Sequence, residues 1–344
     1  MKRLTLRMPA EWEPHEATWL AWPHERSDWP GKFAPIPWVY GDIVKRLARV
    51  EKVRIIVADA AHEKSVRRVL AKCAADLSAV EFFHWPTNRS WTRDYSPIFV
   101  RNPSGEVAIT NWLFNGWAKY DNWRDDNRIP GRVAKKLKIA HEFEPGIVLE
   151  GGSIDVNGAG WLLTTEECLL SESIQVRNPG LGRADLERYF GEYLGIHKTI
   201  WLKQGIAGDD THGHIDDLAR FVDEKTVVIA SEYDPSDANY EPLRENLKLL
   251  RRTGLRVVTL PMPAPVFFDG QRLPASYANF YIANELVLVP TFNDPADRLA
   301  LNVLARVFPG RTVTGIDCTT LIWGLGALHC MTQQQPAATA EGRS

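Results

Sequence analysis

The chain of 344 residues lacks a basic excess: 41 Lys and Arg stand against 43 Asp and Glu, a net charge of −2. A nucleic-acid partner would call for a basic face, and no Lys/Arg run supplies one. Cysteine is scarce. Cys73, Cys168, Cys318 and Cys330 are far apart in sequence and form no CxxC pair, which argues against a structural zinc site and a disulfide scaffold. No apolar run approaches the ~18–20 residues of a membrane span, and Met1 to Glu11 has no apolar signal core. The expectation is a soluble cytoplasmic protein that touches neither membrane nor nucleic acid. No Ser/Gly linker interrupts the chain before Ala337 to Ser344, so one domain over 1–336 with a frayed tail at 337–344 is expected. Tryptophan, by contrast, is abundant at thirteen. Packing accounts for most of it, and an aromatic-lined pocket is the alternative.

Helical periodicity recurs over Trp38–Val50, His62–Leu77, Arg183–Leu194, Tyr240–Thr253 and Pro295–Phe308. Between these lie β-rich runs such as Val53–Ala58, Val107–Thr110, Trp161–Thr164, Val227–Ala230, Leu286–Val289 and Arg311–Ile316. Alternation of this kind predicts an α/β protein. A longer period also shows. Asp94, Glu150, His214 and Asn279 each open a stretch of polar residue, apolar strand, turn and second apolar strand, and His329-Cys330 is the next polar cluster, at spacings of roughly 50–65 residues that suggest five similar units. Five such units either close into a ring, bringing those polar residues to one end of its axis, or line up as an open parallel sheet.

Cys330 follows His329 just past the Gly-rich Gly324-Leu325-Gly326. A thiolate there is a strong nucleophile, given a base or cation nearby; the alternative is a buried, inert thiol. Cys73 and Cys168 read as core residues. In Asp209-Asp210-Thr211-His212-Gly213-His214-Ile215-Asp216-Asp217, a strand beginning at His214 points His214 and Asp216 the same way. One then serves as acid/base and the other as anchor for a cation. His212 and His214 could instead be metal ligands, with Asp209 and Asp216, in a metal-dependent hydrolase. Three carboxylates, Asp94, Glu150 and Asp216, would repel one another in one pocket unless a cation entered. A planar guanidinium suits them, and Cys330 beside it suggests thiol attack on a guanidine carbon.

These residues resemble the agmatine deiminases, guanidine-modifying enzymes of the pentein group related to the bacterial-type peptidyl-arginine deiminases. The resemblance runs from Met8-Pro9-Ala10-Glu11-Trp12 to Gln335-Pro336. It is carried by Ser90-Trp91-Thr92-Arg93-Asp94, Phe114-Asn115-Gly116-Trp117, Leu149-Glu150-Gly151-Gly152-Ser153-Ile154, Gly213-His214-Ile215-Asp216, Ala275 to Asn284 and His329-Cys330-Met331-Thr332-Gln333-Gln334-Gln335-Pro336. It implies a five-bladed α/β propeller with pseudo-fivefold repeats. Cys330 would be the nucleophile and His214 the general acid/base. Asp94, Glu150 and Asp216 would hold the guanidinium, with Trp91 and Asn279 also contacting substrate. No metal or organic cofactor is implied, the partner is a small cationic guanidine, and a homodimer is the family expectation. The sequence departs from the family at Gly324-Leu325-Gly326-Ala327-Leu328, where a Gly-Gly-Gly-Asn-Ile run is usual. Ser96 also stands for a glycine and Arg89 for an acid. Two further readings stand beside agmatine: a peptidyl-arginine or other small-guanidine deiminase, and a non-catalytic pentein binding module.

Overall fold

The computed structural model describes residues 6–338 as a mixed α/β structure. Five sheets share one plan: an antiparallel pair, a connection that carries a helix, then a third strand parallel to the second. The pairs and third strands run Ile98–Arg101, Val107–Thr110 and Glu142–Phe143; Asp155–Val156, Trp161–Thr165 and Lys198–Leu202; Ala219–Asp223, Thr226–Ser231 and Arg256–Pro261; Tyr281–Ile282, Leu286–Thr291 and Thr312–Asp317. The helices are Ile129–Leu137, Arg183–Leu194, Tyr240–Arg251 and Ala296–Val307.

The remaining sheet joins the two ends of the chain. Strand Gln333–Pro336 runs antiparallel to His15–Ala21, which pairs in parallel with Lys52–Val57 and so with Val80–His84. Lys52–Val57 is buried from Val53 onward, as a parallel strand covered on both faces should be. Helix Ala60–Lys72 is stapled at its start by Asp59, which accepts from the His62 amide at 2.8 Å, and it buries Val66 and Leu70. The largest hydrophobic cluster spans this sheet and the Tyr281–Asp317 unit.

Two expectations need correction. His214 and Asp216 are not on a strand: residues 215–217 form a 3₁₀ turn, and the strand begins at Ala219. Asp94 and Glu150, expected ahead of their strands, sit on or before short turns, 92–95 and 151–153. Because a turn is not bound by strict alternation, it can aim consecutive side chains at one place. The tail reading also moves: Ala337 is tied down, its amide donating to Pro14 O at 2.8 Å and its carbonyl accepting from Arg101 at 2.6 Å. Residues 339–344 of that expected tail lie outside the described residues. Among the described residues, no helix is long and apolar enough to cross a membrane.

Candidate active site

The turns that precede the five antiparallel pairs bring Asp94, Glu150, His214, Asp216, Asn279 and Cys330 together. Gly152 makes that approach feasible. Its amide donates to Asp94 Oδ1 at 3.0 Å, and a Cβ there would lie 2.6 Å from His214 Nδ1 and 2.7 Å from Asp94 Oδ1.

His214 sits in a cage of acids. Its Nδ1 lies 3.7 Å from Asp94 and 4.0 Å from Asp216, and its Nε2 lies 3.8 Å from Glu150. These are too long for hydrogen bonds. Both ring nitrogens, Glu150 Oε2 and Asp216 Oδ1 are buried with no partner. Buried polar atoms in a native site are normally paired, so four such unpaired atoms on three neighbouring residues mark a place suited to a polar guest. Burial pulls His214 down, but Asp94, Cys168 and Glu150 outweigh it and hold the ring well above its usual range, as an imidazolium.

The three acids differ. Burial, with Asp216 and Glu150 adding to it and His214 opposing, pushes Asp94 up to about 6. Burial also acts on Glu150, yet Arg177 and His214 overcome it and bring the carboxyl down to about 2. Arg177 Nε donates to Glu150 Oε1 at 2.9 Å, with both side chains fully buried. Asp216 is held below its usual range against burial, chiefly by His329, whose Nδ1 lies 2.7 Å from Oδ2. The other nitrogen of His329 meets Glu11 at 2.8 Å, and Glu11 in turn meets Arg220 at 2.9 Å.

Cys330 Sγ accepts from Asn279 Nδ2 at 3.0 Å and lies 3.6 Å from Asp216 Oδ2. Burial, then Asp216, Asp217 and Asp94, raise the thiol well above its usual range. The resting site thus pairs a thiol with an imidazolium. A cation placed among the acids would shift both toward their deprotonated forms. Asn279 is completely buried. Its amide nitrogen serves Cys330 and Asp217, and its carbonyl accepts from the His329 amide at 2.9 Å. Its side-chain contacts are thus with the thiol and the thiol's neighbours.

A cleft of about 400 Å³ reaches Asp94 and Cys330. Trp91, Trp117, Tyr120, Trp323 and Leu325 line it, so some of the tryptophans do form an aromatic pocket. Trp117 Nε1 also donates to Asp94 Oδ2 at 2.9 Å. In the unusual segment, Gly324 and Gly326 stand where a Cβ would collide with Trp29 and Trp91, and Gly326 also abuts Cys330 Cβ. The two glycines that the packing requires are therefore kept. Leu325 adopts a left-handed φ of 65° between them.

The alternative metal set does not assemble. His212 Nδ1 turns to Glu167 at 3.9 Å, and Asp209 is occupied by the amides of Thr211, Gly213 and His214. Among the described residues the convergent groups are Glu150, Cys168 and His214, and Asp216, Asp217 and Cys330. Cys168, read as plain core, is indeed buried but lies against His214. Arg177, Glu11 and Trp117 had no assigned role. Only Glu11 and Trp117 lay in stretches that stood out in sequence.

Comparisons with known proteins agree on one family. The family model for Porphyromonas-type peptidyl-arginine deiminases matches residues 7–336. The agmatine deiminase of Pseudomonas syringae pv. syringae is 34% identical over 96% of this chain and 95% of its own. Among solved structures, a substrate-bound agmatine deiminase from C. jejuni superposes with a TM-score of 0.90 at 31% identity, covering 98% of each chain. The agmatine deiminase of Enterococcus faecalis gives 0.89 at 30% identity, covering 97% of each.

Proposed function

The chain belongs to the Porphyromonas-type peptidyl-arginine deiminase family, and from that premise we propose that it deiminates agmatine to N-carbamoylputrescine and ammonia through a covalent cysteine intermediate. One observation carries the site assignment: His214, Glu150 and Asp216 hold four buried, unpartnered polar atoms, and Asp216 lies 3.6 Å from the Cys330 thiol. A planar cation with several N–H donors is the guest that would satisfy the carboxylate oxygens.

In the mechanism, Asp94, Glu150 and Asp216 hold the guanidinium, and its charge favours the Cys330 thiolate, whose proton passes to solvent as the substrate seats. Sulfur attacks the guanidine carbon. His214, protonated in the resting site, gives its proton to the departing ammonia. Now neutral, it takes a proton from water, which attacks the thiouronium carbon, releases the ureido product and restores the thiol site. Asn279 and Trp91 act on either side of the sulfur, the first by holding it and the second by walling the cleft. The five similar sheets, with the terminal strands paired in one of them, support a five-bladed propeller formed by one catalytic domain over 1–336.

Ammonia release from agmatine, L-arginine and a blocked peptidyl-arginine, on wild type and Cys330→Ala, tests the reading. Turnover of agmatine that the variant loses supports it. Turnover of a different guanidine alone corrects the substrate, and full activity in the variant removes the cysteine mechanism.

A further inference from the structure

The cleft that reaches Cys330 is also lined by a second buried pair of charges, Asp28 and Arg89. Asp28 ends the short 3₁₀ turn 26–28, and its side chain is 1% exposed. One carboxylate oxygen, Oδ1, takes an N–H of Arg89; the other, Oδ2, is buried with no partner. Arg89 is committed at both terminal nitrogens, and only its Nε is without a partner. Its second terminal nitrogen donates to Asn122 Oδ1 at 3.1 Å, and its guanidinium lies 4.2 Å from the Tyr120 ring centroid. Its charge is therefore spent on Asp28, while Asp28 keeps an acceptor free.

Contacts lead from this pair to the nucleophile. Trp29, the residue after Asp28, packs on Trp91 with ring centroids 5.4 Å apart, and Trp91 abuts Gly326 beside Cys330. Trp91, Leu325 and Trp323, the last stacked on Phe268 at 3.5 Å, give the cleft an apolar wall. The cleft thus joins an acid-lined end, an apolar wall and a free buried carboxylate oxygen.

We propose that Asp28, held in place by Arg89, is a specificity residue that accepts the terminal ammonium at the far end of an alkylguanidine substrate. Burial raises the Asp28 carboxyl to about 6 against the pull of Arg89, so an arriving cation relieves a charge that is costly to keep. A carboxylate tail meets the opposite situation. Arg89 Nε, a buried donor without a partner, is the group left to take it, and Asp28 stands beside it. The inference rests on the deiminase reading above and adds the recognition of the tail.

Kinetics with agmatine and with n-butylguanidine, which has the same guanidine and four carbons but no ammonium, test it. Asp28→Asn should raise KM for agmatine about ten- to a hundredfold, the range for a lost hydrogen bond to a charged group. It should leave n-butylguanidine within about twofold. Because Asp28→Asn leaves Arg89 buried without its counter-ion, Asp28→Asn/Arg89→Gln is assayed alongside it, with melting curves for both. The same contrast between substrates is expected in the double variant. Equal losses for both guanidines, or none for agmatine, overturn the subsite while leaving the deiminase reading intact. Wild type that turns over neither guanidine overturns both.

Discussion

Arg177 is the residue whose removal should reveal most about how the acid cage is held. It is fully buried against Glu150 and also donates to the carbonyls of Gln175 at 2.9 Å and Thr211 at 2.6 Å. Breaking one partner out of a buried pair typically costs about 3–5 kcal/mol, because the other charge is stranded. Linkage agrees in sign, for Arg177 and His214 acting together against burial. Glu150 is brought from 4.5 to about 2, and at 1.36 kcal/mol per unit that is about 3 kcal/mol. The sign follows from the direction. A carboxyl held below its unfolded value contributes stability above about pH 4.5 and loses it as pH falls toward 2. Arg177→Met should therefore lose about 3–5 kcal/mol in urea unfolding at pH 8. The deficit should shrink at pH 5, where a stranded Glu150 takes up a proton. Arg177→Met/Glu150→Gln should recover much of that stability and remain inactive, a coupling a double-mutant cycle measures directly. Equal deficits at pH 8 and pH 5, with no recovery in the double variant, would refute the pairing argument.

Gly152→Ala places a methyl against His214 and Asp94. It should lower kcat/KM about a hundredfold or more through misplacement of the acid/base, while unfolding free energy falls only about 1–3 kcal/mol; normal kinetics would contradict the geometry. Binding of agmatine to Cys330→Ala should release protons near pH 6, because the arriving cation lowers both Asp94, resting at about 6, and His214, resting well above its usual range. Calorimetry in two buffers of different ionisation heat reads the sign, and net uptake would contradict it.

The repeat was legible because four of the units set a polar residue before an apolar hairpin, and strands such as Val107–Thr110 and helix Arg183–Leu194 fall where their patterns place them. The strand that unites the chain ends was not. Gln333-Gln334-Gln335 has no apolar alternation, yet it is buried, because each side chain finds a partner inside: Pro97 O at 3.2 Å, Arg93 at 2.7 Å and Trp19 Nε1 at 3.0 Å. Hydrophobic periodicity carries no signal for such a strand. The groups behind the site were hidden for a related reason. Glu11 and His329 are 318 residues apart in sequence, and Arg177 reaches Glu150 from a loop with no periodic pattern. Only the fold brings these partners into contact. The residues at the head of each hairpin were visible because their types and order match a known chemistry. Their turns were not, since three or four residues of helical turn leave no period to read.

The most direct test of the account is the covalent step at Cys330. Wild-type protein is mixed with agmatine, quenched in acid during turnover, digested and measured by mass spectrometry. The account predicts an adduct on the peptide holding Cys330 with the mass of agmatine less ammonia, absent from Cys330→Ala and appearing as fast as ammonia is released. Steady ammonia release with no adduct on that peptide, or with Cys330→Ala fully active, would contradict it.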